Sequence, residues 1–225
     1  NEGETNYEKY KSANEAMDIA LGRGGDQAVI KAGGKYDFFG GKAQEVEKRT
    51  KVKARTVAHA LEELIENADN VIIMGHQNAD IDSMGSSLGL YRFAKAFDKN
   101  VYVVNNTNSL SISNFIQTLQ EQEEYKGIVI DKNTALSKIN NKTLLIITDT
   151  HKKSYVEVPE LLDQTENIVI IDHHRKSADF IENAMLTFHE AYASSAAELV
   201  TEIIEYGTND IVLEQIEEES LYAGI

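Results

Sequence analysis

Val71-Ile-Ile-Met-Gly-His76-Gln-Asn-Ala-Asp80-Ile-Asp82 is a short apolar run that gives way, within a few residues, to an imidazole and two carboxylates. Such a run is too short for an independent helix and matches a strand buried on both faces, as in a parallel sheet covered by helices. The pattern recurs twice: Leu144-Leu-Ile-Ile-Thr148 runs into Asp149, and Ile168-Val-Ile-Ile171 runs into Asp172-His173-His174. In open parallel sheets, sites form in the crevice beyond the carboxyl ends of the strands. All three polar clusters therefore fall at one edge.

Outward from these strands, Val101–Val104 and Ile128–Ile130 read as two more, and Ser83–Phe97, Leu110–Gln120, Ser194–Tyr206 and Ile211–Tyr222 as helices. The expected fold class over residues 70–225 is α/β, a parallel β-sheet flanked by helices. The cluster Gln120–Glu124 reads as a solvated helix end. Residues 42–69 form a linker: Lys42–Asn67 has neither Gly nor Pro and places Val46, Val57, Ala60, Leu61 and Leu64 near one face of a long helix. Its basic middle, Lys48–Arg55, reads as a solvated face, with a docking surface as the alternative. Residues 1–41 predict a helix over Tyr7–Leu21, a stop at Gly22, Gly24 and Gly25, and strands Gln27–Lys31 and Lys35–Phe39 paired across Gly33-Gly34. That is a small α+β piece with too little core to stand alone.

The 225 residues, 42% hydrophobic and 26% charged, suit one main folded domain with an appendage and exclude disorder over most of the length. There are no cysteines, so a disulfide framework and a thiolate metal site are both excluded. With 22 basic against 37 acidic residues the net charge is −15, which favours a small anionic substrate over long nucleic acid. No apolar run approaches the roughly 18 residues of a membrane-spanning helix, so no membrane contact is expected of these residues.

A lone Asp after a strand is usually a cap or turn former. Two histidines and three aspartates at the ends of three buried strands are different, because their charge stays uncompensated unless a cation sits among them. His76, Asp80, Asp82, Asp149 and His173 are the candidate ligands. Imidazole with carboxylate and no thiolate suits Mn²⁺, with Fe²⁺, Co²⁺, Zn²⁺ and Mg²⁺ as alternatives. Two such ions sharing a carboxylate activate water and neutralise phosphate oxygens, so no side-chain nucleophile is needed. Ser83, Ser86 and Ser194 then read as helix caps before phosphate contacts.

His76-x-x-x-Asp80-x-Asp82, Asp149 and Asp172-His173-His174, in this order, resemble the motifs of the DHH phosphoesterase superfamily. The resemblance implies that His76 and Asp80 hold one ion, Asp82 and His173 the other, and that Asp149 bridges them. It also implies that Asp172 orients neighbouring backbone and ligands, while His174 and Arg175 face the substrate phosphate. His151 is a weaker candidate for substrate contact, against a solvent-exposed loop histidine.

Thr148-Asp-Thr-His-Lys152, Ile170-Ile-Asp-His-His-Arg-Lys176 and Ala191-Tyr-Ala-Ser-Ser195 are similar to the membrane-anchored cyclic-di-AMP phosphodiesterases of the GdpP type. Ala20-Leu-Gly-Arg-Gly-Gly-Asp26 resembles the end of the degenerate GGDEF domain that precedes their catalytic domain; it is read as a helix stop, with no cyclase activity. Ala79 and Ala191 stand where the family commonly has proline, which relaxes loops without removing ligands. The resemblance implies two-metal hydrolysis of cyclic-di-AMP to linear pApA with Mn²⁺, a cyclic dinucleotide as partner, and a cytoplasmic location beneath a membrane anchor; it admits a homodimer. The family's further metal-ligand Asp and its Gly-Gly-Gly-His lobe would follow Ile225, so the expectation is a piece of a longer protein with weak or absent activity of its own. A nanoRNase or pyrophosphatase of the same superfamily and a non-catalytic nucleotide-binding module are the alternatives. A dinucleotide-binding oxidoreductase fits worse, since no G-x-G-x-x-G follows the first strand.

Overall fold

In the computed structural model, residues 5–21, 27–32, 35–40, 43–106, 110–208 and 210–225 are described. The chain divides into two compact units, Asn1–Val52 and Lys53–Ile225, and the division falls inside one helix.

The first unit holds α1 (Asn6–Leu21) and the antiparallel pair β1 (Gln27–Ala32) and β2 (Lys35–Gly40), with Ile30 opposite Asp37. The predicted pairing is present. The glycines assigned to the helix stop and the turn, Gly22, Gly24, Gly25, Gly33 and Gly34, lie outside the described residues. Among the described residues only Ser12, Ala16 and Ala20 are buried, while Tyr7, Tyr10, Met17 and Phe39 are exposed. Lys31 pairs with Glu15 at 2.6 Å.

Helix α2 (Ala43–Asn67) leads into the second unit, where six parallel strands form one sheet. These are β3 (Asn70–Met74), β4 (Asn100–Val104), β5 (Val129–Ile130), β6 (Leu144–Thr148), β7 (Ile168–Asp172) and β8 (Leu186–His189), in the order β5-β4-β3-β6-β7-β8. From β3 the chain first builds outward to β4 and β5, then restarts on the other side with β6. The crevice at that reversal lies between β3 and β6, whose ends carry His76 and Asp149.

Strands β3, β6 and β7 are apolar but for their ends because both faces are covered. Val71, Ile73, Leu144, Ile146, Val169 and Ile171 pack into one core with α2, α3 (Ile81–Lys95), α4 (Leu110–Glu121), α6 (Ala196–Tyr206) and α7 (Gln215–Gly224). The alternate residues Ile72, Met74, Leu145, Ile147, Ile168 and Ile170 pack into a second core with α5 (Lys132–Lys138) and a 3-10 turn at Pro159–Asp163. This is the period of two expected of a doubly covered sheet.

Three elements depart from the sequence reading. Strand β8 has only Phe188 fully buried, and α5 is a seven-residue helix with only Ala135 buried, so neither shows an apolar run. Helix α7 starts at Gln215, not Ile211, because Glu214 and Glu217 form a capping box that fixes its first turn. Ile211 and Leu213 still pack on the core, from extended chain. Of the basic stretch in α2, Lys53 turns to the end of β8, pairing with Glu190 at 2.5 Å; the side chains of Lys48 and Arg49 lie outside the described residues. Glu124 is exposed, as the reading of a solvated helix end expects, and also pairs with Arg92 at 2.7 Å. No helix among the described residues is long and apolar enough to cross a membrane.

Candidate metal centre

Strand β3 leads into Gly75, where a Cβ would come within 1.8 Å of Ser83 Oγ, so a larger residue here would force the Ser83 hydroxyl to turn away as the first turn of α3 closes on the strand end. His76 follows, 6% exposed, with its ring stacked on Tyr155 at 5.2 Å between centroids. The returning chain clamps it: Gln77 N–H donates to the Tyr155 carbonyl at 3.0 Å and Glu157 N–H to the Gly75 carbonyl at 2.9 Å. Asp80 is the N-cap of α3, accepting from Ser83 N–H at 3.0 Å, and its other oxygen lies 3.8 Å from His76 Nε2. Asp82, in the first turn of α3, accepts from the N–H groups of Ala197 at 2.7 Å and Ala196 at 3.0 Å, the positive end of α6.

Asp149 follows β6 in the left-handed backbone region, with φ 60, which Asp and Asn tolerate better than other side chains. Its Oδ2 lies 3.2 Å from His76 Nε2 and its Oδ1 3.5 Å from His173 Nε2. His173 Nε2 is in turn 3.6 Å from Asp82 Oδ2. The five predicted ligands converge, and Asp149 offers one oxygen to each of two His–Asp pairs. His173 Nδ1 donates to the Ala193 carbonyl at 3.4 Å, which leaves Nε2 with its lone pair.

The charges here are frustrated in a way that a cation resolves. Burial, then the Asp149 carboxylate, push Asp82 up to about 6 against the pull of the Ala197 and Ala196 amides. Burial alone would lower His76, but the hydrogen bond to Asp149 and the charges of Asp149, Asp80 and Asp82 outweigh it and raise it. Asp149 Oδ1 and His76 Nδ1 are buried without a hydrogen-bond partner. Among the described residues, two of the three His/Asp groupings close enough to share an ion contain Asp149: one with His76 and Asp80, one with His173 and His174. An orphaned carboxylate oxygen among imidazoles, without thiolate, fits a divalent cation.

Asp172, fully buried at the end of β7, accepts from His174 Nδ1–H at 2.8 Å and His174 N–H at 3.3 Å. Burial pushes its carboxyl up, but hydrogen bonds from His151 and His174 outweigh that and hold it below the ordinary carboxylate value. His174 and Arg175 are exposed. His151 is a correction to the sequence reading: it is neither in solvent nor on the surface where substrate could touch it, but 0% exposed, hydrogen-bonded to Asp172. The chain after it folds back over it, with Ile181 N–H donating to its carbonyl at 3.0 Å.

The serines also sort themselves. Ser86 is buried, donating to the Ser83 carbonyl at 3.1 Å and accepting from Thr148 Oγ1–H at 2.9 Å, so it touches no phosphate. The cap of α6 is Ser195, accepting from Glu198 N–H at 3.0 Å, while Ser194 bonds the Glu198 carboxylate. Sequence reasoning missed Tyr155, His189 and the α6 amides; of these only Ser195-x-x-Glu198, a capping signature, was visible locally.

The family model described as DHH family, N-terminal domain, matches residues 70–225. Over 216 residues, 95% of the chain, the sequence is 44% identical to the cyclic-di-AMP phosphodiesterase GdpP of Bacillus subtilis. Over 217 residues it is 45% identical to the cyclic-di-AMP phosphodiesterase PdeA of Listeria monocytogenes. Each alignment takes in 33% of the relative, so the chain spans about a third of the length of these curated relatives. Among solved structures, an exopolyphosphatase-related protein from Bacteroides fragilis has the same fold, with TM-score 0.58 at 22% identity over 76% of this chain and 49% of that one. With a parallel sheet whose ends gather His76, Asp80, Asp82, Asp149 and His173, and a family match from β3 to the last described residue, the chain belongs to the DHH family.

Proposed function

We propose that this chain is the DHH part of a metal-dependent phosphodiesterase that opens cyclic-di-AMP to linear pApA. The observation that carries the reading is Asp149, with Oδ2 beside His76 and Asp80 and Oδ1 beside His173 and Asp82. On this reading His76 and Asp80 would hold one Mn²⁺ and Asp82 and His173 a second, with Asp149 as a ligand to each. Such ions would supply an activated water and neutralise charge on phosphate oxygens.

The remaining work falls to the chain. The amides of Ala196 and Ala197 keep the Asp82 carboxylate aimed, and the Ala193 carbonyl fixes His173 with Nε2 as the ligand nitrogen. Asp172 accepts the Nδ1–H of His174 and so fixes the ring, leaving its Nε2 side to face the substrate. Arg175 places a guanidinium at the same rim of a chain whose net charge is −15. Water adds to one phosphorus, the P–O3′ bond breaks, and the 3′ oxygen leaves with a proton; one phosphodiester becomes a 5′ phosphomonoester and the ring opens. Residues 1–41 fit the tail of a degenerate GGDEF domain, and a membrane-anchored parent with this part in the cytoplasm follows from the same sequence resemblance.

The test is hydrolysis by the full-length protein with Mn²⁺. The expected product from cyclic-di-AMP is pApA, abolished by chelator and by Asp149→Asn. Intact cyclic-di-AMP alongside cleaved pyrophosphate or short oligoribonucleotides would overturn the substrate. Tight nucleotide binding without any product would overturn the enzyme reading in favour of a regulatory module.

A further inference from the structure

We infer that His151 is a positioning residue of this centre, fixing His174 from the buried side through Asp172; the inference deepens the phosphodiesterase reading and rests on it for its kinetic consequence.

The direction of each hydrogen bond can be read from what the groups are able to do. Ser177 N–H lies 3.0 Å from His151 Nε2, and a backbone amide can only donate, so Nε2 is the acceptor. The ring proton then sits on Nδ1, which donates to Asp172 Oδ2. The other oxygen of Asp172 receives His174 Nδ1–H and the His174 amide. A single chain of donors runs from Ser177 through His151 and Asp172, and from the other side His174 donates into the same carboxylate. His151 and Asp172 are both 0% exposed. Phe180 stacks on the His151 ring at 5.0 Å between centroids and His189 meets its edge at 5.4 Å.

Two other roles fit less well. His151, Asp172 and His189 are near enough together to be taken for a metal site, but the only lone pair of His151 already faces Ser177. His189 Nε2 is likewise engaged, at the His174 carbonyl. A space-filling role leaves the polar chain unexplained, since a leucine would fill the pocket without burying two ring nitrogens. What the histidine adds is a fixed carboxylate: its Nδ1–H is the hydrogen bond on Asp172 Oδ2, and without it that oxygen is buried and unpaired. A carboxylate free to turn no longer holds the His174 ring in one tautomer and one direction.

Three substitutions separate the possibilities. The amide nitrogen of His151→Asn sits where Nδ1 sits and still donates to Asp172; His151→Gln reaches instead to the Nε2 position and answers Ser177; His151→Leu does neither. With the full-length protein, Mn²⁺ and cyclic-di-AMP, the Asn variant is expected within about tenfold of the parent in kcat, and the Gln and Leu variants lower by about 10- to 100-fold. Mn²⁺ affinity by titration calorimetry is expected to stay within about twofold in all three, because His151 is not among the ligands. In ¹⁵N-edited histidine spectra without metal or substrate, His174 should show one Nδ1–H tautomer in the parent and a mixture in the Leu variant. Those spectra decide the inference even if the parent cleaves no phosphodiester, which would sink only the functional reading. Equal kcat in the Asn and Gln variants, a fall in Mn²⁺ affinity as large as the fall in kcat, or an unchanged His174 tautomer in a folded Leu variant would each overturn it. If the Leu variant does not fold, the Asn and Gln variants alone decide.

Discussion

Asp149 combines two demands that few residues meet together: a left-handed backbone and a carboxylate between two histidines. Asparagine satisfies the first and fails the second. Asp149→Asn should therefore fold normally, lose the Mn²⁺-dependent rise in melting temperature, and drop turnover by at least about 100-fold. In the metal-free protein it also removes the charge that, after burial, most raises Asp82, so Asp82 should titrate nearer the ordinary carboxylate range in the variant. An unchanged Asp82 titration by NMR would count against that electrostatic account. The convergence of the five residues was legible in the sequence because their residue types follow apolar runs directly, and strand ends of a parallel sheet meet. His151 was not: Asp149-Thr-His reads locally as loop, and its burial comes from residues about thirty positions later folding back, with Lys152 bridging to Phe180. Local spacing carries no record of that contact.

Helices α3 and α7 approach more closely than ordinary side chains allow. A Cβ on Gly85 would come within 2.4 Å of the Ser220 carbonyl oxygen, which is backbone and cannot turn aside. Gly85→Ala should cost about 1–3 kcal/mol, read as a lower urea midpoint at unchanged slope. At the far end of the same contact, Arg92 bonds both oxygens of Glu217, at 3.0 and 2.8 Å, and Tyr125 donates its hydroxyl to Glu217 at 2.9 Å. Glu217 is fully buried, so Arg92→Met alone should cost about 3–5 kcal/mol by stranding its charge, and adding Glu217→Leu should recover much of that loss. A double variant no more stable than the single one would show that the pair contributes more than mutual neutralisation. Sequence periodicity found both helices through their apolar faces, but α7 four residues too early. Ile211, Val212 and Leu213 extend the apolar run ahead of the helix, and only the Glu214–Glu217 box marks where the backbone turns. The missed β8 and α5 belong to the same class: their position is set by neighbours, Val169 opposite Leu186 and α5 beside β4, more than by an apolar pattern of their own.

For the whole molecule, the centre makes stability depend on pH and metal together. Asp82 binds its proton more tightly folded, at about 6, than unfolded, near 3.8, so between those values the folded state holds more protons and stability falls as pH rises. His76, also raised, contributes stability fully below 6.5 and loses it as pH climbs through its higher folded value. Mn²⁺ needs both groups deprotonated, so its stabilisation should grow over the same range. Melts from pH 4.5 to 8 should show a falling melting temperature with chelator and a widening gap to the Mn²⁺ sample; a gap constant with pH would contradict the proposed ligand set. The overall architecture was the most legible level, since alternating strand and helix signals dictate a parallel sheet, whereas the sheet's reversal between β3 and β6 had to be seen in three dimensions.

That reversal has a kinetic consequence. His76 and Asp149 are 73 residues apart along the chain and come together only when β3 and β6 are already paired in register. A cation cannot be chelated by both before β3 and β6 have paired, so its interactions are expected late in folding. Mn²⁺ should slow unfolding in proportion to its affinity and leave the refolding rate where it was.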